Sequence, residues 1–322
     1  MDFFISIKDQ MSQLFSMGSD QRIVKAARVS FAKDLSSVID VERDKKLIKY
    51  LLDNKHASPF EHVIFAFKAN KKEYINLISK ISYPVVNIYY DEGYIWLNAR
   101  TLINFIDQLP YKLVEYAQQI IPTTMSFVLN KSNVDNYTTD KDQNDQIITT
   151  SSGWIKLLDK LELGTCLDHY TFIVECPLFV ARQWFRHRFG SFNEVSRRYT
   201  DADLDFYIPE KLRLQSKNNK QASDDNYLDD EQNILLVSLL QTSVKTSKVA
   251  YNLLRELGVA KEIARGILPQ FMKTRFYWTA PRISVDNFIK LRKHKHAQFE
   301  IREFAEAIEQ IIGYKECYNL KL

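Results

Sequence analysis

HYTFIVECPLFVARQWFRHRFGSFNEVSRRY, residues 169–199, is the stretch on which the fold turns. HYTFIVE is rich in β-branched and aromatic residues and reads as a strand. Pro177 then opens a helix expected to run through Phe189, and after Gly190 a second helical segment carries SFNEVSRRY. On the first helix Phe179, Arg182, Gln183 and Arg186 share one face at about 100° per residue, and Ala181, Trp184 and Phe185 lie across from it.

The second of these faces suits a core. The first presents two guanidiniums and a carboxamide to a common space. Guanidinium forks bind phosphate through paired, charge-assisted hydrogen bonds. A carboxamide both donates and accepts, as a uracil edge requires. Beyond Gly190, Glu194 and Arg198 stand four apart, as do Asn193 and Arg197, with Ser196 between them. The run reads equally as a solvated basic helix with internal ion pairs, and spacing alone does not separate the two.

Upstream, SDQRIVKAARVSF (19–31) reads as a helix capped by Ser19 or Asp20, and ERDKKLIKYLLDNK (42–55) as a second with Leu47, Ile48, Leu51 and Leu52 on one face. HASPFEH (56–62) has the form of a helix start, with Ser58 as cap, Pro59 in the first turn and Glu61 three residues after the cap. HVIFAFK is strand-like. VVNIYY and YIWLN flank an Asp-Glu-Gly turn as a hairpin over 83–98, and helices follow at ARTLINFIDQL and YKLVEYAQQII. The polar run 131–152 reads as an exposed loop, and 212–231 as a mobile one. Helices are expected at 232–257 and 259–268, a strand at TRFYWT (274–279), a short helix from Ser284 and a last one from Ala297 to Tyr314. Helices and strands mix without a βαβ rhythm, so the class is α+β: a central mixed or antiparallel sheet with flanking helices.

A chain of 322 residues buries a full core, and 45% apolar content with 20 Phe and 17 Tyr is ordinary for a globular protein. The net charge of +4, from 44 basic and 40 acidic residues, suits a handler of anions without arguing for DNA. Cys166, Cys176 and Cys317 show no metal-like spacing and read as reduced thiols of a cytoplasmic protein. His294 and His296 lie two apart with no third ligand in sight, so no metal is expected. The opening MDFFISIKDQ lacks the apolar run of a signal peptide, and no stretch approaches the roughly 20 apolar residues of a membrane span.

Arg186-His187-Arg188, then seven residues, then Ser196, resembles the RHR-x7-S signature of the flavin-dependent thymidylate synthases. AARVSF (26–31), HASPFEHVIFAF (56–67), CPLFVARQWFRHR (176–188), NEVSRRY (193–199), FYIP (206–209), GVAKEIARGILP (258–269), TRFYWT (274–279) and NFIKLR (287–292) resemble family segments in the family's order. The resemblance implies a single thymidylate synthase-complementing-like domain over 1–322. It implies reductive methylation of dUMP to dTMP, with FAD as cofactor and NADPH and 5,10-methylenetetrahydrofolate as co-substrates. It also implies a homotetramer with shared active sites, and neither nucleic acid nor membrane as a partner.

By the same resemblance Ser30, Ser58, Arg186, His187, Arg188, Glu194 and Asn287 are candidate flavin contacts. Gln183, Arg186, Glu194, Ser196, Arg198 and Arg265 are candidate dUMP contacts. Arg292 is the candidate catalytic residue, matching the arginine that promotes ionisation at N3 of the pyrimidine. No cysteine falls in a matched position.

Two departures stand out. Residues 69–169 have no counterpart in compact family members and form an inserted α/β segment. Pro281-Arg282-Ile283 stands where the family has Asn-Ala-Arg, whereas the insertion contains Asn98-Ala99-Arg100-Thr101-Leu102-Ile103-Asn104-Phe105, which resembles the missing stretch. Either the insertion supplies the flavin or substrate interactions missing at 281–283 or the likeness is that of an ordinary amphipathic helix. The alternatives in function are a degenerate family member, a basic nucleic-acid-binding module, and a folate- and flavin-dependent tRNA methyltransferase. The last requires a GxGxxG fingerprint that does not occur.

Overall fold

The computed structural model describes residues 13–33, 39–81, 87–131, 136–140, 146–202, 204–216 and 223–313. Strands β1 (Leu14–Met17), β2 (Ile64–Lys68), β3 (Ile88–Asp91) and β4 (Tyr94–Asn98) make one antiparallel sheet in the order β1-β2-β4-β3. Strands β5 (Ile147–Thr149), β6 (Trp154–Leu161), β7 (His169–Pro177), β8 (Ser191–Glu194) and β11 (Lys273–Pro281) make a second, ordered β5-β6-β7-β11-β8. Two short strands, β9 (Arg213–Gln215) and β10 (Ser223–Tyr227), pair apart from both. The class is α+β as the sequence implies, with the sheet divided in two and each described strand pair antiparallel.

Period-two alternation sets the layers. In the first sheet Phe65, Phe67, Ile95 and Leu97 pack outward onto helices α1 (Asp20–Val29), α2 (Val41–Asp53) and α5 (Tyr111–Ile120), while Ile64, Ala66 and Trp96 face inward. In the second, Tyr170, Phe172, Val174, Phe276 and Trp278 pack outward onto α7 (Leu178–Trp184), α10 (Arg282–Arg292) and α11 (Phe299–Ile312). The inward faces meet where Trp96 stacks on His169 at 5.3 Å and Gly18 N donates to Asp159 Oδ2 at 3.0 Å. Helices α3 (Lys71–Lys80), α4 (Ala99–Asn104), α6 (Pro122–Val128), α8 (Asp230–Glu256) and α9 (Lys261–Ala264) complete the set.

Local chemistry sets the ends of these elements. Ser19 accepts from Arg22 N as the cap of α1, and Asp40 caps α2 in the same way. Glu92 (φ 44°) and Gly93 (φ 88°) form the two-residue turn of the β3–β4 hairpin. Two positive φ angles in succession give the turn whose twist matches the strands.

Five expectations are corrected. The helix after Pro177 ends at Trp184, not Phe189, so the arginine signature lies on a turn. SFNE is a strand: β11 offers a free edge, and Ser191–Glu194 pair with Thr279–Phe276. The helical pairs Glu194–Arg198 and Asn193–Arg197 therefore have no basis. Ser58 caps nothing; it is the first residue of a 3₁₀ turn, Ser58–His62, whose cap position is Ala57. Within the polar run 131–152, Asp140 is buried beside Arg22 and Tyr137 OH donates to Asp44, so the described part is anchored; 132–135 and 141–145 lie outside the described residues. Part of 212–231 likewise forms β9 and β10, and 217–222 lie outside the described residues.

Gly153, in the turn before β6, lies against β7. A β-carbon there would fall 1.9 Å from the Glu175 carbonyl oxygen. Backbone cannot yield that far, so Gly153→Ala should destabilise by about 2 kcal/mol or more. Thermal melting followed by circular dichroism checks it.

Candidate functional site

Trp184 fixes the arginine signature. Its indole is fully buried and lies 4.4 Å from the Phe288 ring, among Phe276, Trp278 and Phe304. His187 N donates to Trp184 O at 2.9 Å, which reverses the chain at once. The turn points Arg186 and Arg188 outward and His187 inward. Arg292, at the end of α10, braces it: Nε donates to His187 Nε2 and Nη2 to Gln183 O, each at 3.0 Å. Burial, and then the Arg292 charge, lower the His187 pKa to about 4. The imidazole is thus neutral, with Nε2 as acceptor and the proton on Nδ1. Burial, and then Arg186, shift Arg292 downward too. Gln183 Nε2 donates to Gln298 Oε1 at 2.6 Å.

A second group forms where β8 ends. Glu194 Oε1 accepts from Thr274 Oγ1 at 2.7 Å. Burial raises its pKa, against the pull of Arg197, Arg265 and Arg182. Ser30 Oγ donates to Glu194 O at 3.0 Å, and Ser196 N donates to Ser30 O at 3.0 Å. Ser30, Glu194 and Ser196 are therefore brought together with three guanidiniums nearby. Arg198 is exposed and lies over the Tyr199 ring, 5.2 Å from its centroid. Ser58 and Asn287 are exposed, on the 3₁₀ turn and on α10.

Sequence reasoning missed His62. It closes HASPFEH, a segment read for its cap pattern and its family likeness but not for its histidine. Its Nδ1 lies 2.7 Å from Thr279 Oγ1 and its Nε2 3.2 Å from Asn193 Oδ1, so it locks the 3₁₀ turn onto β8 and β11. Burial, and to a smaller extent Arg22, lower its pKa from 6.5 to about 3. The folded value lies below the unfolded one, so this residue's stabilisation is present above pH 6.5 and is lost as pH falls toward 3. His62→Gln keeps a donor and an acceptor but does not titrate. Between pH 7 and pH 4 the wild type should lose more stability than this variant, as read by urea unfolding at the two pH values.

A cavity of about 110 Å³ opens between the two sheets, lined by Glu61, Asn98, Trp96, His169, Arg188 and Pro281 among others. Asn98 caps α4, accepting from Thr101 N at 2.9 Å, and Arg100 pairs with Glu61 of the 3₁₀ turn. Among the described residues no group of three or more acidic, histidine or cysteine side chains is placed to hold a metal, and His294 stacks on His296 at 4.8 Å. No helix of the described residues is long and apolar enough to cross a membrane.

The sequence model of the family described as "Thymidylate synthase complementing protein" matches residues 14–72 and 112–315. The chain belongs to that family. Within it, the chain is 51% identical over 313 residues to a flavin-dependent thymidylate synthase of Aquifex aeolicus, covering 95% of this chain and 98% of that protein. A flavin-dependent thymidylate synthase of Thermosipho africanus is 30% identical over 316 residues, covering 98% and 90%. The solved UMP/dUMP methylase PolB of Streptomyces cacaoi superposes with a TM-score of 0.41 at 21% identity, over 94% of this chain and 89% of that one, a likeness too slight to bear on function.

Proposed function

We propose that this member of the family is a flavin-dependent thymidylate synthase, which methylates dUMP to dTMP with 5,10-methylenetetrahydrofolate as carbon donor and NADPH as reductant. One observation carries the reading. The guanidiniums of Arg182, Arg186, Arg188 and Arg265 form no hydrogen bond or ion pair among the described residues; Arg182 and Arg265 lie near Glu194, Arg186 near Arg292, and Arg188 on the cavity between the sheets. Guanidiniums whose donors are left unpaired suit anionic ligands, here a nucleotide phosphate and a dinucleotide pyrophosphate.

Bound FAD would supply the hydride that completes the methyl group. The chain's own residues bind, orient and place charge. Arg186 and Arg188 flank a neutral His187 and would hold the cofactor with Ser30, Ser58, Glu194 and Asn287. Gln183, Ser196, Arg198 and Arg265, with Arg186 and Glu194, would hold dUMP. Glu194, with its raised pKa, can donate a hydrogen bond or accept one. Arg292 places a fixed positive charge where negative charge develops on the pyrimidine. Asn98 lines the cavity that Arg188 and Pro281 also line, which supports the inserted segment as the source of the interactions missing at 281–283.

The test is an anaerobic assay of FAD-loaded protein with dUMP, methylene-folate and NADPH, following dTMP by chromatography. dTMP should form only with FAD, and Arg186→Ala should lower it at least tenfold, since a charge-assisted contact contributes about 1.5–3 kcal/mol. NADPH oxidation without dTMP would sink the reading. So would a colourless protein that cannot be loaded and binds DNA with steep salt dependence.

A further inference from the structure

Behind Gln183 a chain of polar side chains runs away from the candidate site into the protein. Gln183 Nε2 donates to Gln298 Oε1 at 2.6 Å, and Gln298 Nε2 donates to Glu300 Oε2 at 3.0 Å. Glu300 Oε1 accepts from Arg213 of β9 and from Tyr207 OH, the latter at 3.3 Å. Glu300 is only 3% exposed, and the Arg213 guanidinium lies over the Phe299 ring, 4.5 Å from its centroid. Burial, and then the Glu300 charge, push the Tyr207 pKa up to about 12, so the phenol keeps the proton it donates.

The direction of these bonds is forced from the far end. Arg213 can only donate, and a carboxylate held by it can only accept. Gln298 must therefore turn its NH₂ group to Glu300, which leaves its carbonyl oxygen for Gln183. Gln183 must in turn give its own NH₂ group to Gln298. An inverted Gln183 would set one carbonyl oxygen against another. Packing does not make this choice, because the oxygen and NH₂ ends of a carboxamide are nearly equal in size.

The relay ends at a half-buried side chain with one end left over. Gln183 Oε1 forms no hydrogen bond among the described residues. Its backbone is tied as well, since Gln183 O accepts from Arg292 Nη2 at 3.0 Å. The plain alternative is a helix start. Gln298 stands at the cap position of α11 and Glu300 in its first turn, where an acid is favoured. Yet Gln298 makes no capping bond, and a helix start does not require the link to Gln183.

We propose that Gln298 and Glu300 are positioning residues for the nucleotide, fixing through hydrogen-bond polarity which end of the Gln183 carboxamide meets dUMP. The ligand then meets a carbonyl oxygen and one remaining N–H in a set order. Neither residue touches the ligand; both act through Gln183. The inference rests on the proposed function, in which Gln183 holds dUMP.

The test measures dUMP affinity of the FAD-loaded full chain by isothermal titration calorimetry, beside urea unfolding. Glu300→Gln puts a group at 300 that either donates or accepts, so the relay loses its direction. Affinity should fall roughly three- to tenfold, the range of one hydrogen bond. Adding Gln298→Glu should restore it: the carboxylate at 298 accepts from Gln183 and from the new amide at 300, whose carbonyl takes the Arg213 and Tyr207 bonds. Both variants lack the Arg213–Glu300 ion pair and should unfold at lower urea, but only the single one should bind dUMP weakly. Gln298→Leu keeps the ion pair and frees Gln183, so it should weaken dUMP with little change in urea midpoint. It carries the test if Glu300→Gln does not fold. A double variant as weak as Glu300→Gln would assign Glu300 to the ion pair alone and overturn the proposal. Unchanged affinity in Gln298→Leu would overturn it too. A wild type that binds no dUMP would refute the proposed function and this inference together, whereas tight wild-type binding with indifferent variants would refute this inference alone.

Discussion

Arg292→Ala is expected to lower turnover by roughly 10²–10³, the loss typical when one preorganised donor to a developing anion is removed. Two of its nitrogens are committed, Nε to His187 and Nη2 to Gln183 O. Nη1 forms no hydrogen bond among the described residues and is left for the ligand. On the proposed function the substitution removes charge from beside the pyrimidine, and it also unbraces the arginine turn. Arg292→Lys separates the two effects. It restores the charge but not the fork, so it should recover part of kcat while leaving flavin affinity weakened. Arg292 also helps to keep His187 near pKa 4, so its loss should raise the His187 value. Nuclear magnetic resonance titration of that ring checks the point independently of turnover. Unchanged single-turnover dTMP formation in Arg292→Ala would remove the residue from the mechanism.

What was legible in the sequence was local. The cap of α1 and the Glu92-Gly93 hairpin depend on neighbours a few residues away, and they read correctly. SFNEVSRRY misled because its helical i,i+4 pairs were plausible, while the partner that makes Ser191–Glu194 a strand, β11, lies some 80 residues on. Tertiary pairing overrode local pattern there. The arginine signature was legible as chemistry, but not its geometry, because the brace from Arg292 crosses 105 residues. His62 was hidden for the same reason, its partners Asn193 and Thr279 being 131 and 217 residues away.

The largest loss of stability should come from a residue outside the site. Arg22 is fully buried on α1, with Nε 3.2 Å from Asp140 Oδ2 and Nη2 3.7 Å from Asp159 Oδ2. Lys25 adds a weaker contact to Asp140 at 3.5 Å. Burial opposes the Arg22 charge, but Asp140 and Asp159 overcome it and raise its pKa. These contacts tie α1, which carries the chain toward Ser30, to β6 of the second sheet and to the polar run that looked solvated. Arg22→Met leaves two buried carboxylates without their central cation. Uncompensated buried charge costs about 3–5 kcal/mol. Burial already raises the Asp159 pKa, and the Arg22 charge opposes that rise, so the variant's value should climb further. A folded-state pKa above the unfolded one means that stability is greatest at low pH and is lost as pH rises through the folded value. The deficit of Arg22→Met should therefore be larger at pH 8 than at pH 5, as read from urea midpoints. Adding Asp140→Asn and Asp159→Asn to Arg22→Met should recover much of the loss and flatten its pH dependence. A deficit independent of pH, or untouched by the two asparagines, would assign the role of Arg22 to packing alone.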